Sequence, residues 1–525
     1  MTKTFTDILG LKNNVYTANS VKANVVPTQS TNTFINAQNN KTYTENGALT
    51  NKSTLSGIVD WFFHGAALRR ERDEKRIVGL FLAAFNEDPT KALRTLFYIR
   101  DVRGGQGERR VFRVCLKYLA DSQKDWVIKN LDLIAEYGRY DDYLVLLETN
   151  CKEETIDFLG KQLEKDLQHH FNNELTSISL LAKWMPSENA SSQTTKRYAK
   201  ILLTSGKFGA AKAYRKALSL LRKDIDIVET KLCNKEYANI DYSKLPSYAA
   251  LKYREAFKRN DLERYNQYLE DVKAGKKEIK ANTLYPYDLI RPYSSQLDGW
   301  GSRPRISIDP TVEAQWEALP DYVPEINGLV VNDTSGSMCG LPMDISVSLA
   351  VYIAERNKSE VWKNYVIPFS NHAEWKEVKG NTLAEKVASV FTGDCSNTNL
   401  QAVFDLILER AKSANVPQED MPKFLLIISD MEFDCCDYSY TTNLERIKQR
   451  YKEAGYDLPT LVFWNVDSRN TQTPATINDQ GVILLSGANP VAMKMALEGG
   501  KNMQEVIDNI INGERYTKIS FNKTI

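Results

Sequence analysis

Histidine and cysteine are scarce in this chain, with four and seven copies among 525 residues. His64, His169, His170 and His372 fall in unrelated segments, and none pairs with an evident nucleophile or stands at a metal-ligand spacing. The cysteines are odd in number and irregular in position, which fits reduced thiols better than a disulfide framework. Cys435 and Cys436 are adjacent, with no further Cys or His cluster to complete a zinc tetrahedron. No stretch approaches about 18 uninterrupted apolar residues, so nothing reads as a membrane-spanning helix. The opening MTKTFTDILGLKNN lacks the apolar core of a secretory signal, and the expected compartment is the cytoplasm. No Gly-Lys-Ser/Thr phosphate loop occurs. With no catalytic set in view, the chain reads as a binding protein and not an enzyme.

What it does have is charge, unevenly spread. The net +1 hides 43 Lys+Arg against 35 Asp+Glu over residues 51–300, and 21 against 30 over 301–525. A basic half joined to an acidic half implies different partners for each. The length is too great for one ordinary core, so several domains are expected. Residues 1–52 are rich in Asn and Thr and read as an extended or disordered arm, ordered on a partner. From Thr54 to about Ala274, segments such as RIVGLFLAAF, RRVFRVCLKYLA, DYLVLLET and AYRKALSLLRKDI repeat apolar residues near period 3.6. That is the pattern of a HEAT-like helical-repeat array, placed at 53–325 with a structured linker over 275–325. After Asn327, GLVVND, YVIPFS, FLLIISD, TLVFWNV and GVILLS alternate with helical stretches. Residues 326–525 are therefore expected to form a doubly wound α/β domain, foldable alone from near Pro324, with its ligand site at the C-terminal strand ends.

The first of those strands ends in Asp333-Thr334-Ser335-Gly336-Ser337. Thr398 stands at the start of the helix LQAVFDLIL, and Asp430 closes the strand FLLIIS. These oxygens suit a hard divalent cation such as magnesium or manganese. The D-x-S-G-S string, with the later Thr and Asp, resembles the metal-ion-dependent adhesion site of von Willebrand factor A domains. The resemblance implies direct ligation by Ser335, Ser337 and Thr398, with Asp333 and Asp430 acting largely through water. It also leaves one coordination position for a partner's carboxylate or a phosphate oxygen. Glu432 and Asp434 read as tuning the local field or capping a helix.

Two basic features mark the helical half. Arg100, Arg103, Arg109 and Arg110 flank a Gly-rich turn, R-D-V-R-G-G-Q-G-E-R-R. Between Asn189 and Lys223 no acidic residue interrupts Lys196, Arg197, Lys200, Lys207, Lys212, Arg215, Lys216, Arg222 and Lys223. A solvated helix face is the ordinary explanation of such a run; nine cations without a carboxylate favour a polyanion. With SNTNLQAVFDLIL, IISDMEFD, LVFWNVDSRN and GVILLSG in the second half, the order of parts resembles the Ro autoantigen group and its TROVE module. The sequence looks nearest the TROVE-like proteins of plants, large viruses and phages. The resemblance implies a ring of helical repeats closed by an A domain. It also implies binding of small structured or misfolded RNA by shape and phosphate, as a ribonucleoprotein. Two rivals remain: a metal-dependent protein-interaction module, and a virion or assembly component using the Asn/Thr-rich arm.

Overall fold

The computed structural model describes residues 39–297, 306–323, 325, 327–391, 396–435, 441–499 and 502–521. Residues 1–38 of the expected arm, along with Cys395 and Cys436, lie outside them. Two compact units emerge. One holds residues 100–103 and 107–280; the other holds the described residues up to 99, then 104–106 and 281 onward.

The first unit is helical throughout its described residues. Its helices run Arg109–Ser122, Lys124–Lys129, Leu131–Tyr137, Lys152–Phe171, Leu181–Trp184, Gln193–Thr204, Ala211–Asp224, Val228–Cys233, Ser247–Asn260 and Leu262–Lys273. Each expected apolar stripe is turned inward: Val111, Phe112, Cys115, Leu116 and Leu119 are buried on the first of them. Starts are set by local chemistry, with Glu108 accepting from Arg110 N and Ser192 from Thr195 N. One segment departs from its expected winding. DYLVLLET lies in a 3-10 helix, Tyr140–Glu148, where all six residues from Asp142 to Leu147 are buried. A segment covered on every side has no single 3.6-residue stripe to fix its pitch.

The second unit begins with a short hairpin, β1 Lys41–Tyr43 and β2 Leu49–Asn51. Its main strands follow as β3 Gly328–Asp333, β4 Tyr365–Phe369, β5 Lys376–Glu377, β6 Phe424–Ser429, β7 Thr460–Asn465 and β8 Val482–Ser486. These six form one sheet in the order β5-β4-β3-β6-β7-β8. All pair in parallel except the two-residue edge β5, which runs antiparallel to β4. The apolar runs in β3, β6, β7 and β8 are buried on both faces, as a helix-covered parallel sheet requires. From β3 the chain moves outward to β4, then returns to the other side of β3 as β6. The C-terminal crevice between β3 and β6 is thus the switch point of the sheet.

Two boundaries differ from expectation. Residues 41–51, assigned to the arm, are the β1–β2 hairpin of this unit. Thr50 Oγ1 donates to Thr473 O at 2.8 Å, and Asn51 pairs with Thr473. The helix Gly57–Gly65 also belongs here, where Phe62 O accepts from Ser486 Oγ at the end of β8. The α/β unit therefore draws on residues far ahead of Pro324. Hydrogen bonds across some 400 positions of chain leave no local periodicity by which to find them.

Candidate metal centre and basic surface

Asp333 ends β3 and Asp430 follows β6, so both carboxylates enter the switch-point crevice. Asp333, Ser335, Thr398 and Asp430 are all 2% exposed or less, and Ser337 is half-buried. Asp333 is held from both sides: Ser335 N donates to Oδ1 at 2.9 Å and Ser429 Oγ donates to Oδ2 at 2.6 Å. The Ser335 and Ser337 hydroxyl oxygens lie 3.1 Å apart. The Thr398 segment is pinned by a reciprocal pair, Thr398 N to Asp434 Oδ2 and Asp434 N to Thr398 O, each 2.9 Å. Gly336 N donates to Ser396 O, tying the first loop to the second.

The charges in the crevice are uncomfortable. Burial pushes the Asp333 carboxyl up to about 6, with Asp434 adding to the shift. Burial and then the facing Asp333 push Asp430 up to about 7. Two buried oxygens, Thr398 Oγ1 and Asp430 Oδ2, have no hydrogen-bond partner. Arg469 Nη1 is 3.9 Å from Asp430 Oδ2 and 3.4 Å from a carboxylate oxygen of Glu45, and Arg70 also acts electrostatically on Asp430. Among the described residues no group of three or more His, Cys, Asp or Glu side chains forms an alternative metal cluster. Mixed hydroxyl and carboxylate donors, two of them without hydrogen bonds, fit a hard divalent cation.

Around this crevice, Glu432 is fully engaged elsewhere. It accepts from Glu45 N and from the side chains of Asn470 and Gln472. Thr44 Oγ1 donates to Phe433 O, so the β1–β2 hairpin clamps the loop that carries Asp430.

The basic residues divide sharply. Arg100 is 1% exposed and bound to Asp142, Nε to Oδ2 at 2.8 Å. Its assignment to an RNA-contacting surface is corrected: it is an internal ion pair. The turn beyond it is also structural. Gln106 Oε1 accepts from Ala488 N and Asn489 N, each 3.1 Å. Gly487 has φ +97°, and a Cβ there would meet that oxygen at 2.2 Å. Arg103 and Arg109 are exposed, Arg110 half-buried. The Arg103 guanidinium donates to Glu136 O. In the acid-free segment, carboxylates from outside it reach three cations: Glu148 pairs with Arg197, Asp157 with Lys207 and Glu188 with Arg215. Arg222 donates to Ala182 O and Met185 O. Lys196, Lys200, Lys212 and Lys216 are exposed on two successive helices. None of these four has a carboxylate partner among the described residues.

A family model described as a domain of unknown function (DUF2828) matches residues 44–156 and 152–326. The chain belongs to the DUF2828 family. A second domain of unknown function (DUF7788) matches residues 327–523. The DUF2828 match thus ends one residue before Asn327, where the sequence changes from helices to strands. Over 494 residues the chain is 30% identical to the uncharacterized protein L728 of Acanthamoeba polyphaga mimivirus, covering 87% of this chain and 84% of that one. Among solved structures, the Ro (RSR) protein of Deinococcus radiodurans aligns with 88% of this chain and 93% of its own, at 12% identity and a TM-score of 0.37.

Sequence reasoning missed several parts of the crevice, which lies within the DUF7788 match. Ser429 gave a faint signal as a hydroxyl directly before Asp430 at a strand end. Arg469 and Glu45 gave none, because both enter the site from remote segments.

Proposed function

We propose that this DUF2828-family protein is a non-catalytic RNA-binding protein resembling Ro, with RNA bound on the helical unit and magnesium or manganese in the α/β unit. The observation that carries the RNA reading is the exposed set Lys196, Lys200, Lys212 and Lys216, free of carboxylate partners among the described residues. A solvated surface with paired ions gains little from a polyanion; unpaired lysines along two helices release counterions when phosphates replace them. Filter binding of the full chain with small structured RNAs at two salt concentrations tests this. Affinity should fall steeply with salt, and replacing the four lysines with Gln should flatten the slope by about 0.7 to 0.9 for each phosphate no longer neutralised. No binding at low salt would overturn the reading.

The α/β unit resembles a von Willebrand factor A domain. Ser335, Ser337 and Thr398 would hold the ion, with Asp333 and Asp430 behind them. The support is the pair of buried oxygens without hydrogen bonds, Thr398 Oγ1 and Asp430 Oδ2. When bound, the ion supplies an electrophilic position for an anionic oxygen. Asp333 keeps the Ser335 loop in place, and Asp434 holds the Thr398 backbone. The same oxygens favour a second reading, a protein-interaction module gripping a partner's carboxylate through the ion. Calorimetric titration with magnesium, for wild type and Asp333→Ala, tests the site; equal heats for both would remove it.

A further inference from the structure

The two basic features of the sequence meet in the helical unit, around the 3-10 helix Tyr140–Glu148. Arg113, one turn into the helix Arg109–Ser122, reaches Asp142 Oδ1 at 2.6 Å and Asp141 Oδ2 at 2.7 Å. Arg109, four residues earlier and 53% exposed, lies 3.8 Å from the same Asp141 oxygen. Arg139 lies 3.2 Å from Asp141 Oδ1, and its guanidinium sits 4.2 Å over the ring of half-buried Trp184. With buried Arg100 on Asp142, four guanidiniums share two carboxylates. Arg197 and Tyr198, from the acid-free segment, border the cluster: Arg197 pairs with Glu148, and Arg113 acts electrostatically on Tyr198.

A cationic surplus in a partly buried setting is unfavourable until an anion joins it. Arg139 shows that stress. Burial lowers its pKa, and Arg100 and Arg109 lower it further against the pull of Asp141 and Asp142. The arrangement also offers flat surfaces. A guanidinium on a tryptophan gives a planar platform on which an unpaired base stacks, while a neighbouring arginine reaches the phosphate. Lysines on an open helix face provide attraction alone; this cluster adds shape.

We propose that Arg139 stacked on Trp184, with Arg109 and Arg113 beside it, forms a subsite for one nucleotide of single-stranded RNA. The base lies on the Arg139–Trp184 platform, and Arg109 and Arg113 hold its phosphate. Tyr198 and Arg197 line the continuing strand. The subsite deepens the RNA-binding reading and rests on it.

The test is fluorescence anisotropy of a labelled oligouridylate with the full chain, wild type and variants, at two salt concentrations. Far-UV circular dichroism and thermal unfolding confirm that each variant is folded. Trp184→Leu should weaken binding roughly 5- to 100-fold with little change in salt slope, because it removes stacking and no charge. Trp184→Phe should recover most of that loss. Arg109→Gln should weaken binding and lower the slope by about 0.7, the value for one neutralised phosphate of a single strand. Lys235→Gln, on a separate exposed turn, should leave both unchanged. If wild type binds RNA while Trp184→Leu and Arg109→Gln match it, the subsite is wrong and the broader RNA reading stands. If wild type binds neither oligouridylate nor structured RNA at low salt, both fall. Loss of binding equal in Trp184→Leu and Trp184→Phe would also overturn the stacking platform.

Discussion

The crevice at Asp333 and the arginine cluster around Tyr140–Glu148 are both partly buried and both charged, with imbalances of opposite sign. In the crevice, two facing carboxylates and two buried oxygens without hydrogen bonds have Arg469, 3.9 Å from Asp430, and the electrostatic pull of Arg70 to set against them. In the cluster, four guanidiniums share Asp141 and Asp142. Each lacks the ion that the other has in excess. Buried charge is tolerated when paired and hydrogen-bonded, so a surplus left at a site marks where a ligand completes it. The two units thus present complementary requirements, a small hard cation in one and a phosphate in the other.

The largest expected effect comes from removing the anionic anchor of the cluster. Asp142 is fully buried and shared by Arg100 and Arg113. Asp142→Ala should destabilise the helical unit by about 3–5 kcal/mol, since buried Arg100 loses its carboxylate and Arg113 keeps only Asp141. Urea unfolding followed by circular dichroism measures it. A loss under about 1 kcal/mol would mean the cluster is solvated and its surplus carries no strain.

Next comes the response of the crevice. Magnesium at about a hundred times its Kd should stabilise the protein by roughly 2.7 kcal/mol, seen as a rise in Tm. Asp430→Asn should lose that rise. At pH 8 without metal, the same variant should be more stable than wild type by an amount on the order of 1 kcal/mol, because one of two opposed buried charges is gone. A metal-free variant less stable than wild type would remove the repulsion from the account.

Acid should separate the units further. His64 is buried in the α/β unit, its Nδ1 2.8 Å from Ser468 Oγ. Burial, and then Arg76, push its pKa down to about 3. Between an unfolded value near 6.5 and that folded value, the unfolded chain takes a proton that the folded one refuses. This contribution is intact above about pH 6.5 and is lost as pH falls, at roughly 1.4 kcal/mol per pH unit down to about 3. His64→Gln should flatten the pH dependence of Tm between pH 6.5 and 4. An unchanged profile would place the acid sensitivity elsewhere.

How much of this was legible depended on how local its cause was. β3, β6, β7 and β8 were readable because apolar runs of five or six residues buried on both faces leave little else to form. Asp333, Ser335 and Ser337 share one loop, and Thr398 and Asp430 stand at element ends, so their gathering follows from the sheet's topology. The edge strand β5 was missed because two residues, Lys376 and Glu377, carry no alternation. The helix Met503–Ile511 was missed too, although its apolar stripe is present. The hairpin at 41–51 looked like an arm because its stabilising partners, Phe433 and Thr473, are 389 and 423 residues away. Charge misled in the same way. Arg100 counted as a surface cation until Asp142 appeared beside it, and the acid-free segment recovered carboxylates from Glu148, Asp157 and Glu188.

The smallest expected effect bears most directly on how the crevice waits for its ion. Arg469 is 40% exposed and stands between Asp430, at 3.9 Å, and Glu45 on the hairpin turn, at 3.4 Å. As an exposed ion pair it contributes less than about 1 kcal/mol to stability. Its charge nevertheless occupies the field that a divalent cation would enter. With the near-aqueous screening of an exposed group, removing it favours the incoming cation by an amount on the order of 1 kcal/mol, or about fivefold in Kd. Arg469→Gln should therefore bind magnesium more tightly with almost no change in the Tm of the metal-free protein. Glu45→Gln should act in the opposite direction, because Arg469 then has only Asp430 to neutralise. Titration calorimetry on the two variants reads both signs. Identical magnesium affinities in both would make Arg469 a bystander to the site.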